Sequence, residues 1–279
     1  AQPFLAAAFE KVMEATGDKS KSVKDAATEA SKAMLKCLSP FALEALMPAL
    51  LAGMAVKAKP PQKEATLQII ADFATVNPKA IGFKLVDLVT PVSELTCDIK
   101  KEVKAAAVDC MTKIAACTGN KDLDPFLDAV VKASQSLDDT HKCVERLAGC
   151  VFVQNVETPA LAVMLPVLTR GLNDKAEKVK RTCCLIVDNM CKVVEDPAAV
   201  LPAINLLEPS VKRSAKLISD PETRAVAERA DKTLQQAAAI KWNDDDACGE
   251  SERDSMNEDD EVTASREVAF WASPASTQV

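Results

Sequence analysis

DKAEKVKRTCCLIVDNMCKVVED, Asp174 to Asp196, places its apolar residues at Val179, Cys183, Ile186, Val187, Met190 and Val194. That spacing is one stripe on a helix of 3.6 residues per turn, so the stretch predicts an amphipathic helix with a single buried face. Its acid-led, lysine-rich opening recurs. An Asp is followed five residues later by Val at Asp18/Val23, Asp98/Val103, Asp139/Val144 and Asp174/Val179, and Asp220 is followed by Ala225 and Val226. A pattern repeating on a spacing of about forty residues is the signature of stacked helical units.

Composition agrees with helices. The 279 residues are 48% apolar but only 4% aromatic, with no Tyr and 7 Gly, so Ala, Leu, Val, Cys and Met must fill the core. Small and unbranched side chains suit closely spaced helices better than sheets. The expected fold is therefore all-α, in six helix pairs. They run over 3–15 with 19–38, 40–56 with 62–76, 78–95 with 99–118, 122–136 with 140–154, 159–172 with 175–194, and 197–218 with 221–240. Phe4, Leu5 and Phe9 are expected on the buried side of the first helix, and Pro60 and Pro61 are expected to separate the second pair. Pro48, Pro91, Pro166 and Pro209 fall at similar places in four first helices; an internal proline costs about 3 kcal/mol, so four of them imply a shared kink.

Charge divides the chain. The net charge is −7, but Asn243 to Glu261 holds ten acids against Arg253 alone and carries −9, which leaves the body up to Trp242 at +2. A mildly basic array over 1–240 followed by an acidic tail over 241–279 is the expected division. The tail ends in VAFWASPASTQV, whose Val268, Phe270 and Trp271 read as apolar anchors for docking on a partner or a neighbouring helix pair.

Kinked first helix, Asp-led second helix and a unit of about forty residues resemble a HEAT-repeat array, whose units cannot bury their faces alone and stack into a solenoid. The likeness narrows in KKEVKAAAVDCMTKIAACTGNKDL (100–123), VETPALAVMLPVLTRGLND (156–174), VKRTCCLIVDNMCKVVEDP (179–197) and ISDPETRAVAERADKTL (218–234). These are similar to the N-terminal HEAT region of the fungal-type translation elongation factor three. In that family the region contacts the ribosome, and paired ATP-binding cassettes further along supply energy. The resemblance also implies a ladder between repeats, from each leading Asp to the basic residue six positions on, here Lys24, Lys104 and Lys180; Glu145 departs from it.

No catalytic constellation is legible. The sequence contains no GxxxxGK[ST] phosphate loop and no nucleophile elbow, and its one histidine, His141, sits in a charged first turn where capping or solvation is its expected role. Of the ten cysteines, Cys37, Cys110, Cys117, Cys143, Cys150, Cys183 and Cys191 lie at core spacing and read as small buried hydrophobes, with Cys183 and Cys184 on different faces. One His and no paired CxxC argue against zinc, and the acid run 258–261 lacks the Gly-centred spacing of a calcium loop. No cofactor and no enzyme activity are expected. No apolar run is long enough to span a membrane.

Lysines crowd the first turns of second helices: Lys19, Lys21, Lys63, Lys100, Lys101, Lys175 and Lys178, with Arg181. Stacking would align them along one edge, and Lys100, Lys101, Lys175, Lys178 and Arg181 are the candidate contacts to a polyanion. With no aromatics among them, RNA would be met at its backbone rather than its bases. The expected function is a non-catalytic binding module, ribosome-associated and cytoplasmic by the resemblance. The alternative is a peripheral scaffold subunit of another large assembly, such as an organellar, membrane-associated one. The chain starts at Ala1 rather than Met, so it reads either as a fragment or as a product from which a targeting segment was removed.

Overall fold

The computed structural model describes residues 2–37 and 42–239; the tail with Val268, Phe270 and Trp271 lies outside the described residues. Twelve α-helices make up the described chain: α1 (Gln2–Ala15), α2 (Lys21–Cys37), α3 (Leu43–Met54), α4 (Pro60–Val76), α5 (Pro78–Leu95), α6 (Lys101–Ala115), α7 (Leu127–Gln135), α8 (Leu137–Leu147), α9 (Thr158–Leu172), α10 (Glu177–Cys191), α11 (Pro197–Leu217) and α12 (Pro221–Ala239). They pair as six antiparallel hairpins, and the pairs stack into an all-α solenoid with one continuous apolar core.

Four of the six second helices, α2, α6, α10 and α12, are preceded by a leading acid. The carboxylates of Asp18, Asp98 and Asp174 accept from the backbone N–H two residues on, at Ser20 (2.7 Å), Lys100 (2.9 Å) and Ala176 (2.8 Å). Asp220 accepts from Thr223 N at 2.8 Å. Each bond occupies a donor that the entry to the helix leaves unmatched. Asp139 differs: α8 opens at Leu137, so this acid lies inside the helix rather than ahead of it.

Several expectations need correction. Phe9 is fully buried and Leu5 packs on the core, but Phe4 is 81% exposed because it lies off the stripe that faces α3. Val23 is also exposed. Pro60 and Pro61 do not separate helices; they open α4, where the missing N–H costs nothing. The second helix of the fourth pair ends at Leu147, seven residues earlier than expected. Cys37 is exposed and Cys117 half-buried, whereas Cys183 and Cys184 are both fully buried. The internal prolines lie inside continuous helices, joined in α11 by Pro202.

The fourth pair breaks the regular stacking. Its first helix, α7, has only nine residues, and the segment before it forms a 3₁₀ turn at Asp124–Phe126. Helix α7 is too short to separate its neighbours, so α5 packs directly against α9. Helix α9 therefore touches α5, α7, α8, α10 and α11. Its sequence TPALAVMLPVLTRGL is apolar nearly all round, as such surroundings require, with every residue from Ala160 to Leu165 buried. Close approach is set by glycine at two equivalent places: a methyl on Gly53 of α3 would overlap the Thr66 side chain of α4, and one on Gly171 of α9 would overlap the Cys183 sulfur of α10.

Ile186→Ala in α10 is expected to cost about 2 to 5 kcal/mol in denaturant unfolding, while Lys178→Ala on the same helix should cost under about 0.5 kcal/mol. Gly171→Ala should lower stability by about 1 to 3 kcal/mol, even though alanine favours helix by about 1 kcal/mol, because the added methyl overpacks a closed contact. A melting temperature unchanged or raised in Gly171→Ala would refute the close α9–α10 contact.

Candidate functional site

The turns inside the six pairs lie along one edge. Lys59 Nζ of the second pair reaches Gly17 O of the first (3.3 Å), Lys63 Nζ of the second meets Asp98 Oδ2 of the third (3.3 Å), and Ser219 N of the sixth donates to Glu177 Oε1 of the fifth (3.1 Å). Lys100 immediately precedes α6 and Lys101 begins it; both are exposed. Lys175, in the turn before α10, is exposed as well. Among the described residues these three make no ion pair. Two apolar tips stand beside the lysines: Ile99, 97% exposed next to Lys100, and Val56, 94% exposed next to Lys57.

The remaining candidates are engaged. Lys178 Nζ lies 3.5 Å from Glu145 Oε1 of α8, and Arg181 Nη2 lies 3.1 Å from Glu222 Oε1 of α12. The edge thus carries cross-pair ion pairs at Lys178 and Arg181, while Lys19, Lys21, Lys57, Lys100, Lys101 and Lys175 are exposed to solvent.

The ladder between pairs uses different bases from those expected. Among the described residues Lys24, Lys104 and Lys180 form no ion pair. Asp98 instead takes Lys63, and Asp174 Oδ2 takes His141 Nε2 at 2.7 Å, each from the second helix of the preceding pair. The reason is direction: the leading Asp sits at the start of its helix, beside the first turn of the helix stacked before it. His141 is therefore an inter-repeat partner. The N–H of Lys100, with Lys63, holds the Asp98 carboxyl below the usual carboxylate range; the N–H of Ala176, with His141, does the same for Asp174.

Two polar bridges escaped the sequence reading. Burial pushes the Asp188 carboxyl up, but bonds from Lys192 (2.8 Å) and Thr233 (2.7 Å) and the charge of Arg229 (3.1 Å) outweigh it and hold the group below its ordinary value. Asp188 thus ties α10 to α12. Arg170 of α9 donates to Ala133 O (2.7 Å) and Ser134 O (3.2 Å) at the end of α7, and to Ser93 Oγ of α5 (3.2 Å), joining three pairs. An Asp between Val187 and Met190 in an apolar stripe, with Lys four residues on, was the available signal for the first; none marked the second. Burial pushes the thiols of Cys143, Cys184 and Cys191 up to about 12, which keeps these three protonated. Among the described residues no group of three or more His, Cys, Asp or Glu could hold a metal ion, and no helix is long and apolar enough to cross a membrane.

Because Asp98, Asp174 and Asp188 have lowered folded values, their stabilising contribution is complete above the ordinary carboxylate range, about pH 4, and is lost as pH falls through the folded values. Asp231 has the opposite sign: burial raises its carboxyl and its Oδ1 has no partner among the described residues, so it costs stability as pH rises. Denaturant unfolding should show stability falling below about pH 4, less steeply in Asp188→Asn, whereas Asp231→Asn should be neutral or stabilising at pH 7. A wild-type acid limb unchanged in Asp188→Asn would refute the bridge.

Comparison with known proteins places this architecture. Residues 1–111 match the family model "EF3 N-terminal HEAT repeat" and residues 139–245 match "Elongation factor 3/GNC1 HEAT repeat". Elongation factor 3 of Zygosaccharomyces rouxii is 34% identical over 243 residues, covering 87% of this chain and 23% of that protein. Elongation factor 3 of Phytophthora infestans is 37% identical over 218 residues, 78% of this chain and 21% of that protein. Elongation factor 3B of Saccharomyces cerevisiae is 33% identical over 243 residues, with 87% and 23% covered. This chain spans less than a quarter of the length of these relatives. A designed armadillo repeat protein aligns over 81% of this chain and 99% of its own at 18% identity and a TM-score of 0.32, too remote a likeness to add to the fold described above. The helical array is a HEAT-repeat region of the elongation factor 3 family.

Proposed function

We propose that this array is a non-catalytic, translation-linked binding module that works in the cytoplasm by docking on the ribosome, with the unpaired lysines of its turn edge meeting the RNA phosphate backbone. The observation that carries the reading is the alignment with elongation factor 3 HEAT repeats over most of the chain. The unpaired lysines of the turn edge support it. Lys100, Lys101 and Lys175 are exposed and make no ion pair among the described residues, so they can neutralise phosphates and release counterions. Lys178 and Arg181 exchange a glutamate for a phosphate only at the cost of an existing ion pair. Aliphatic tips beside the lysines, rather than aromatic platforms, fit a backbone contact without base stacking. In the tail, Val268, Phe270 and Trp271 offer the same assembly an apolar anchor.

Co-sedimentation with purified ribosomes over a salt series tests the proposal. Replacing Lys100, Lys101 and Lys175 by Ala should weaken binding and flatten the dependence of log affinity on log salt by roughly 0.7 to 0.9 per lost phosphate contact. Lys178→Ala and Arg181→Ala should change the slope less. Failure of the wild-type chain to sediment with ribosomes, alongside capture of a defined organellar complex, would replace this reading with the scaffold one.

A further inference from the structure

The register of the repeats leaves one stacking surface uncovered. Asp18 and Val23 of α2 take the places of Asp98 and Val103 of α6, so Ala27 matches Ala107 and Ala30 matches Cys110. Helix α6 packs against α4 of the preceding pair, and its Val103, Ala107 and Cys110 are no more than 1% exposed. Among the described residues no pair precedes α1; Val23 is 41% exposed, and Ala26 and Ala30 are open to solvent as well. The result is a groove of about 490 Å³ between α1 and α2, lined by Val12 and Ala15 of the first and Val23, Ala26, Ala27 and Ala30 of the second. The residues that join these helices to the core, Phe9, Met13 and Leu35, are buried and do not line it.

Such a groove takes a helix rather than an extended chain. Apart from Lys11 and Ser22, its lining side chains are Ala and Val, which offer nothing to the unpaired backbone groups of a strand, whereas a helix satisfies its own. The three alanines keep the α2 side low, so a helix axis can come within about 8 to 10 Å and set larger side chains between Val12 and Val23. Helix α4, which packs on the matching helix α6, is built in this way, with Leu67, Ile70 and Phe73 no more than 2% exposed. From Val23 to Ala30 the surface runs about 10 Å, so a helix of about three turns spans it.

The filled joints elsewhere in the array define the polar half of the contact. Asp98 meets Lys63, the fourth residue of α4, and Asp174 meets His141, the fifth residue of α8, so each leading acid takes a base from the opening turns of the helix stacked before it. Asp18 holds Ser20 N as its equivalents hold theirs, and forms no ion pair among the described residues. A second copy of the chain is a poor source of the missing helix. In an end-to-end stack α12 would have to cover the groove, yet α12 exposes Glu228, Lys232, Gln235 and Gln236, the polar outer face of a terminal repeat. The apolar end therefore calls for an amphipathic helix from another protein.

We propose that the groove between α1 and α2 docks an amphipathic α-helix of a partner protein, with its apolar stripe on Val12, Val23 and Ala30 and a basic residue of its opening turns on Asp18. This interface uses none of Lys100, Lys101 and Lys175, so it stands or falls separately from ribosome docking. The probe is a capped peptide of residues 59–77, the helix that packs on the matching helix α6, titrated into the full chain and followed by amide NMR shifts. Saturable shifts at Asp18, Val23, Ala26 and Ala30 are expected at about millimolar peptide, because an isolated helix is marginal in water. Val23→Glu, at an exposed position and with circular dichroism unchanged, should weaken binding by about tenfold or more, since it sets a charge against an apolar stripe. Asp18→Asn, which keeps the acceptor for Ser20 N, should weaken binding about threefold and leave binding of a Lys63→Met peptide unchanged. Replacing Lys100, Lys101 and Lys175 by Ala should leave binding as it is. Absence of saturable shifts, wild-type binding by Val23→Glu, or equal losses for both peptides in Asp18→Asn would overturn the proposal. So would dimers of the chain that dissociate on Val23→Glu, which would assign the groove to a second copy, or a gain of about tenfold in peptide affinity on truncation after Ala239, which would assign it to the chain's own tail.

Discussion

The array hangs on the direct packing of α9 against α5. An amphipathic hairpin of this size cannot bury both its faces, so every pair depends on its neighbours, and a pair that is too short passes its load to the pairs on either side. The fourth pair is too short, since α7 has nine residues against eighteen in α5 and fifteen in α9. The gap closes by bringing α5 and α9 together rather than by leaving a void, which would forfeit contacts all along its walls. The consequence is a helix, α9, surrounded on nearly every side and buried along its length.

Polar interactions follow from that closure. With α7 reduced to a wedge, its last carbonyls lie within reach of α9, and Arg170 fills the place with a guanidinium that also touches α5. Part-buried between helices, such a group is tolerated because both terminal nitrogens of the guanidinium find oxygen acceptors. Asp188 solves the reverse problem between α10 and α12, with two cations and a hydroxyl around a carboxylate that water does not reach. These bridges fix the relative setting of pairs, which apolar packing alone specifies less sharply.

Shortening the helices of the fourth pair also lengthens its loops, and this separates the two edges of the array chemically. On the edge of turns inside pairs, tight Asp-led entries place lysines at regular intervals. On the edge between pairs, residues 119–123 and 148–157 are released from helix and fold against each other, joined by the Asp122 carboxylate, which accepts from Val153 N and Gln154 N.

The stripe spacing in Asp174 to Asp196 and its recurrences determined by themselves that the chain is all-α and built of paired helices, because the period of 3.6 residues is a local property of backbone geometry. The Asp-led entries were legible for the same reason: a carboxylate reaching an N–H two residues on needs no other part of the chain. Only the tertiary structure decided how the pairs meet. That Lys63 and His141, rather than Lys104 and Lys180, face the leading acids depends on the offset between stacked helices, which no single helix encodes. That Lys178 and Arg181 are paired while Lys100 and Lys101 are free depends on which acids neighbouring pairs bring within 4 Å.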